Sequence, residues 1–415
     1  MGDLYAARGE LFTDLFERAW SLLDEGARRI LLVATFFPTS ANGEALSISS
    51  DVQHFAFDRA IERLSDMALL DMQQKDLNSP VRYVLHPLVR AFACARLADH
   101  PELEESARKR WIQWALNLSS QVGYCWNDIQ KLDLIEDEHE TIFFTIFWCY
   151  KNNKFDEVMK LANNVGFFFQ VRFGWRRRLE LDQIYLDVAE KIHSNEDILV
   201  GLLRVLEGLS RTGQLAQAKQ IKERISKDFS EYQISSKNRQ RLKKSFGVYY
   251  MCNQNYRQAI TVFENFLDNE NDVSDSRNLI NRRWLADAYL AVGRKADAKM
   301  QFNEIINLAE RLNYTRMITY IKTQFAHLSI DEKDYDLGSA LLKEAESLAN
   351  ACKDRQRLAR IKYLTGRKAL NCGGIVTARG ALLEAIDLFE RLGMSRDLAE
   401  AREALRELQD HALEQ

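Results

Sequence analysis

Small residues recur about every forty positions in this chain: Ala218, Ala259, Ala298, Gly338 and Ala378, with gaps of 41, 39, 40 and 40. Twelve positions before each of the last four stands another small residue: Gly247, Ala286, Ala326 and Gly366. Four positions after each comes a bulky apolar one: Phe263, Phe302, Leu342 and Leu382. A small residue is required where two helices cross closely, and a bulky neighbour fills the adjacent groove. Recurrence at a fixed period marks a stacked array of helical hairpins. Such arrays are binding surfaces more often than they are enzymes.

Proline divides the molecule. All four prolines (Pro38, Pro80, Pro87 and Pro101) lie near the start of the 415 residues. Proline inside a helix costs about 3 kcal/mol, so its absence beyond residue 101 fits continuous helix with short turns. The first hundred residues mix element types. Leu11–Leu23, Gly26–Phe37 and Ala56–Met67 show helical apolar spacing, and Phe37–Gly43 has turn chemistry. Leu69–Gln74 and Val81–Leu85 read as two short strands, followed by a helix from Pro87 to Leu97 with proline in its first turn. This order predicts a winged-helix domain over 1–99, a connecting helix over 100–133, an α-solenoid over 134–394 and a C-terminal capping helix over 395–415. The predicted fold class is therefore mainly α, a small winged helix followed by a right-handed α-solenoid.

Composition removes several function classes. With 57 basic and 60 acidic residues the net charge is -3, so the chain has no general attraction for nucleic acid or anionic lipid. Residues 1–99 hold ten basic and fourteen acidic side chains, and Arg59 and Arg63 of the third helix stand beside Asp58, Glu62 and Asp66. Phosphate contacts supply most of the affinity for DNA, so this wing argues against DNA as partner. No apolar run approaches the roughly 18 residues that would span a bilayer, and no secretory signal is visible at Met1. Six scattered cysteines without a CxxC pair read as reduced thiols of a cytoplasmic protein. The seven histidines show no metal-ligand spacing, so neither metal nor cofactor is expected. Gly208–Gly213 has the wrong spacing for a nucleophile elbow, and the acidic run Glu136–Glu140 reads as a solvated helix start. No catalytic constellation emerges.

Two stretches carry a family resemblance. Phe246-Gly247-Val248-Tyr249-Tyr250, a turn at Asn253–Asn255, then Ala259 and Phe263 resemble a tetratricopeptide repeat, as do Leu285–Tyr289, Gly293, Ala298 and Phe302. The period near 40 exceeds the usual 34 or so, and the closing proline is missing. In the first domain, Trp20–Leu23, Arg28–Leu32, Phe36-Phe37-Pro38 and Arg82–Ala93 occur in an order that resembles the winged helix of signal-transducing P-loop ATPases of the NB-ARC and STAND type. In that family a histidine at the position of His86 reads the phosphates of bound ADP; the alternative reading makes His86 a capping histidine at a strand-to-helix junction. No GxxxxGK[ST] occurs, so the resemblance implies an ATPase domain that is missing or separate. The short lead-in before Leu11 suggests truncation.

Carried onto this sequence, the family's concave-face positions are Arg241, Lys244, Arg283, Tyr320, His327, Arg360, Tyr363 and Arg367. Guanidinium forks suit carboxylates and phosphates, and tyrosines add apolar area with a polar tip. The expected partner is a protein, an acidic peptide or a small acidic inducer. The alternative is a solvated face whose charges pair with Asp and Glu of neighbouring repeats. Three functions remain open: the regulatory, ligand-sensing module of a STAND-type ATPase, a free-standing adaptor, or a winged-helix transcription regulator.

Overall fold

A computed structural model describes residues 14–74, 76, 79–126, 128–229, 234–267 and 276–413. Contacts divide them into two units: residues up to Val122 with Asp133–Leu161, and Gly123–Leu132 with everything from Ala162 onward.

The first unit opens with helical turns over 14–21 (α1) and helix α2 (Glu25–Val33). The Asp24 carboxylate caps α2 by accepting from the Ala27 N–H at 2.8 Å. Strand β1 (Ala41–Asn42) leads directly into α3 (Gly43–Ser50) and α4 (His54–Asp66). Strands β2 (Asp71–Gln73) and β3 (Arg82–Val84) follow, then α5 (Pro87–Ala98). The sheet is antiparallel in the order β1-β3-β2, with Tyr83 opposite both Ala41 and Met72. Helix, strand, two helices, hairpin and helix make a winged helix.

Two local details differ from the sequence expectation. The stretch expected to be only a turn, Phe37–Gly43, contains β1, because its two residues pair with β3 on the side away from the hairpin. Helix α3 was not anticipated. Its mean apolar periodicity is weak, and it starts because the Asn42 side chain accepts from Ala45 N–H at 2.6 Å.

Helix α6 (Pro101–Ser120) and helix α7 (His139–Lys151) complete this unit. Trp111 of α6 is fully buried, with the rings of Phe36, Phe144 and Trp148 centred 5.6, 6.2 and 6.3 Å away. Burial of such rings dominates core energetics. The sheet is tied to the chain before α7 by Arg82, whose guanidinium donates to the buried Glu138 carboxylate. Glu138 also accepts from Asn42 at 2.8 Å.

The array is built from helices α8 (Phe155–Arg172), α9 (Gly174–Lys191), α10 (Asn195–Arg211), α11 (Leu215–Asp228), α12 (Ser236–Cys252) and α13 (Tyr256–Leu267). It continues through α14 (Ser276–Ala291), α15 (Lys295–Arg311), α16 (Thr315–Asp331), α17 (Tyr335–Ala351), α18 (Arg355–Asn371), α19 (Ile375–Leu392) and α20 (Ser395–Leu413). The period of forty is two helices of about 17 residues, each closed by a turn with one residue at positive φ. Glycine takes that place at Gly213, Gly293 and Gly373, where it has no steric penalty. Gln254, Asn313, Lys333 and Lys353 take it elsewhere.

The small-residue pattern has the predicted physical cause. A Cβ on Gly247 would stand 2.4 Å from the Phe263 ring, and one on Gly366 would stand 2.7 Å from Leu382 Cγ. The small position of one helix and the bulky position of its partner thus meet. The anchors Ala218, Ala259, Ala298 and Ala378 are fully buried. The fold is a tetratricopeptide-like α-solenoid.

Helices α10 and α12, α12 and α14, α16 and α18, and α18 and α20 also touch directly. These alternate helices form the tighter, inner wall of the stack. Early and late helices of the array are joined as well. The Gln356 amide donates to Gln170 O at 2.5 Å, and Ser395 Oγ to Thr212 O at 2.8 Å. Gly174, at φ 78°, lets the start of α9 pass so close to Leu392 that a Cβ would lie 2.5 Å from its carbonyl oxygen.

Candidate ligand-binding face of the array

The charged side chains of the inner wall form one connected run. It begins on α10, where Glu207 is nearly buried and sits between Lys244 of α12 at 3.0 Å and Arg211 at 3.3 Å. Burial opposes ionisation of Glu207, but Lys244 and Arg211 together outweigh it and hold the carboxyl at about 2. Arg211 also stacks between two indoles, 4.2 Å from the Trp175 ring and 4.6 Å from Trp284.

The run continues through α14, α16 and α18. Tyr320 is buried, and its hydroxyl donates to Asp287 and accepts from the Gln324 amide at 2.7 Å. The guanidiniums of Arg283 and Arg357 lie over this ring, at 4.7 and 4.4 Å from its centroid. Arg283 lies over Trp284 too, at 4.3 Å. Neither arginine has a carboxylate within ion-pair distance among the described residues, and the Nε of each is buried without an acceptor. Burial, reinforced by nearby Arg316, lowers Arg357 to about 10. Burial also raises Asp287, against the pull of Arg283 and the hydrogen bond from Tyr320. Asp287 is therefore a poor counterion, and Asp354, also nearby, accepts from the Arg357 backbone N–H at 3.2 Å.

Elsewhere on the wall most cations meet a carboxylate. Arg316 donates to Asp354 at 2.5 Å, both nearly buried. Arg360 reaches Glu400 at 2.9 Å and Asp397 at 3.4 Å, and stacks on the buried Tyr363 at 4.7 Å. Arg367 pairs with Glu407 at 2.7 Å. His327 stands 3.8 Å from Asp331, with its basicity lowered by burial and by Arg360. Arg241 is exposed and donates to Asn238 Oδ1 at 3.1 Å.

Five of the eight residues picked from the sequence fall into two groups. Arg283 and Tyr320 come together in the uncompensated part. Lys244, Arg360 and Arg367 each meet a carboxylate, as the solvated-face alternative anticipated. Sequence reasoning missed Arg357, Asp287, Arg211 and Glu207. Asp287 is four residues beyond Arg283, and Arg357 three before Arg360, so stepping one helical turn along the same face finds both. The meeting of Trp175 with Arg211 and Trp284 spans more than a hundred residues and leaves no local signal.

In the first unit, His86 is exposed and its Nδ1 accepts from the Leu88 N–H at 3.3 Å, capping α5. Arg59 of α4 is tied to Asp24 at 2.9 Å. Among the described residues no three His, Cys, Asp or Glu side chains could hold a metal ion, and no helix is long and apolar enough to cross a membrane.

No family model matches the chain. Among curated proteins it is similar to the transcription activator GutR of Bacillus subtilis, 22% identical over 198 residues. That match covers 45% of this chain but only 24% of GutR, so the chain spans about a quarter of that relative. Among solved structures it is similar to a signal transduction ATPase with numerous domains (STAND) carrying a tetratricopeptide repeat sensor, from Pyrococcus horikoshii. The identity is 12% and the TM-score 0.42, over 97% of this chain and 66% of that one. A Rap protein in complex with competence and sporulation factor is also similar, at 11% identity and TM-score 0.44, over 79% of this chain and 92% of that one. None of these likenesses adds a residue to the face described above.

Proposed function

We propose that this chain is a ligand-sensing module of a STAND-type signalling ATPase, and that the inner wall of its array binds an acidic peptide or protein segment. One observation carries the binding reading: Arg283 and Arg357 lie over one buried tyrosine with no carboxylate within ion-pair distance among the described residues, on a wall where most other cations are paired. Guanidiniums without counterions in a partly desolvated setting favour an incoming carboxylate, because the bonds are charge-assisted and can be bidentate. The order of winged helix and array supports the place of the module in a larger ATPase. The chain acts by binding, and a ligand shifts its conformational balance only by its differential affinity for two states.

The test is titration of the full chain with a hexaglutamate peptide by calorimetry. The expected result is saturable, salt-sensitive binding that weakens about tenfold or more in the Arg283→Glu, Arg357→Glu double variant. Equal affinity in wild type and double variant would overturn the reading.

A further inference from the structure

The segment Gly123–Leu132 belongs to the array, although the chain on both sides of it belongs to the first unit. It makes aromatic contacts on the array. The Trp126 ring stands 4.8 Å from the ring of Tyr314, the residue that precedes α16. Trp126 packs against the apolar core formed by α12 to α16. Two residues earlier, Tyr124 meets Phe167 of α8 edge-on at 4.9 Å. Yet Tyr124 keeps 56% of its surface exposed. The contact is made by rings laid on a wall rather than by side chains sealed in a core.

Tyr314 precedes α16 and Arg316 sits one turn before Tyr320, and Arg283 and Arg357 are near enough to Tyr314 to work against the rise that burial gives its pKa, so this aromatic contact adjoins those cations. We infer that Trp126 occupies an aromatic subsite of the ligand face, and that the ligand is an acidic peptide carrying an aromatic side chain that displaces it. This deepens the reading above and rests on it for the acidic part alone. Aromatic anchors beside arginines are the residue types that dominate peptide recognition. A tethered occupant competes at millimolar effective concentration, so the free chain is held in a resting state until a ligand outcompetes it. Release of Trp126 frees a segment whose both ends run into the first unit, which gives ligand binding a covalent route to the winged helix.

The experiment uses the full chain and two probes, hexaglutamate and a hexaglutamate with one central tryptophan. In wild type the two probes bind alike, because Trp126 fills the subsite. In Trp126→Ala the tryptophan probe binds about tenfold tighter than the plain one. On wild type, amide exchange at high concentration of the tryptophan probe speeds up over residues 124–126 and slows in α16. If the variant binds both probes equally, or the wild-type exchange at 124–126 does not change, the subsite is overturned. Should Trp126→Ala lose its helical circular dichroism, the wild-type exchange alone decides. The anionic reading fails separately, by indifference of the plain probe to charge reversal at Arg283 and Arg357.

Discussion

Two stretches of the same inner wall handle partly buried arginine in opposite ways. At α16, α18 and α20, Arg316, Arg360 and Arg367 each meet a carboxylate, at 2.5, 2.9 and 2.7 Å. Arg283 of α14 and Arg357 of α18 lie over the Tyr320 ring and reach no acid within ion-pair distance among the described residues. Both arrangements keep a guanidinium tolerable away from bulk water. They differ in what removal does. A paired arginine is part of the structure, because deleting its partner strands a charge. A stacked one has a π-face for support and free donors, so it can exchange partners without unfolding anything. On the proposed reading, binding by this wall follows the unpaired cations and not the density of cations.

The strongest way to break that contrast is at Asp354. Asp354→Ala leaves the nearly buried Arg316 without its partner, and a loss of about 3–5 kcal/mol in denaturant-derived stability is expected. A loss below 1 kcal/mol would mean that Arg316 is as independent as Arg357.

Acid titration gives the next largest effect. Glu207 is held at about 2 by Lys244 and Arg211 against its burial, below the ordinary carboxylate value of 4.5. Its stabilisation is therefore complete above about pH 4.5 and disappears as the pH falls toward 2. A difference of this size corresponds to about 3 kcal/mol. Glu207→Gln should flatten the stability profile across that window, measured by chemical denaturation at each pH. An unchanged profile would remove Glu207 from the paired group.

The scaffold under the wall supplies a control. Gly247→Ala forces a Cβ to 2.4 Å from the Phe263 ring and should cost about 1–3 kcal/mol in thermal unfolding, whatever the charge state of the wall. Gly293→Ala meets nothing within 4 Å but keeps a positive φ, so about 1–2 kcal/mol is expected from backbone strain alone.

The smallest effect belongs to the open stretch. Arg283→Ala and Arg357→Ala should each change stability by about 1 kcal/mol or less, while weakening hexaglutamate binding. A destabilisation approaching that of Asp354→Ala would place these arginines with the structural ones and end the comparison.

Much of this was legible in the chain. The forty-residue spacing of small residues, the bulky residues four positions on and the turns at Gly213, Gly293 and Gly373 define the hairpins directly. A close helix crossing admits few residue types, so its position is written in composition at a fixed period. The winged helix was legible apart from β1 and α3, whose cue was the capping side chain of Asn42. Inner-wall positions could be named because the resemblance to tetratricopeptide repeats implies them, and helical periodicity fixes which side chains share a face with them.

Periodicity cannot say which of those charges find partners. That Arg360 meets Glu400 and Arg283 meets no acid within ion-pair distance among the described residues depends on how adjacent hairpins are rotated and spaced, a property of packing and not of any local pattern. The contacts of Trp175 with Arg211 and of Trp126 with Tyr314 join residues far apart in sequence. The sequence by itself determined the helices, their crossings and the face they present, because those follow from short-range sterics and burial. Only the tertiary structure decided which cations stay open and which ring rests beside them, because pairing energies depend on distances of a few ångströms between elements that the chain leaves far apart.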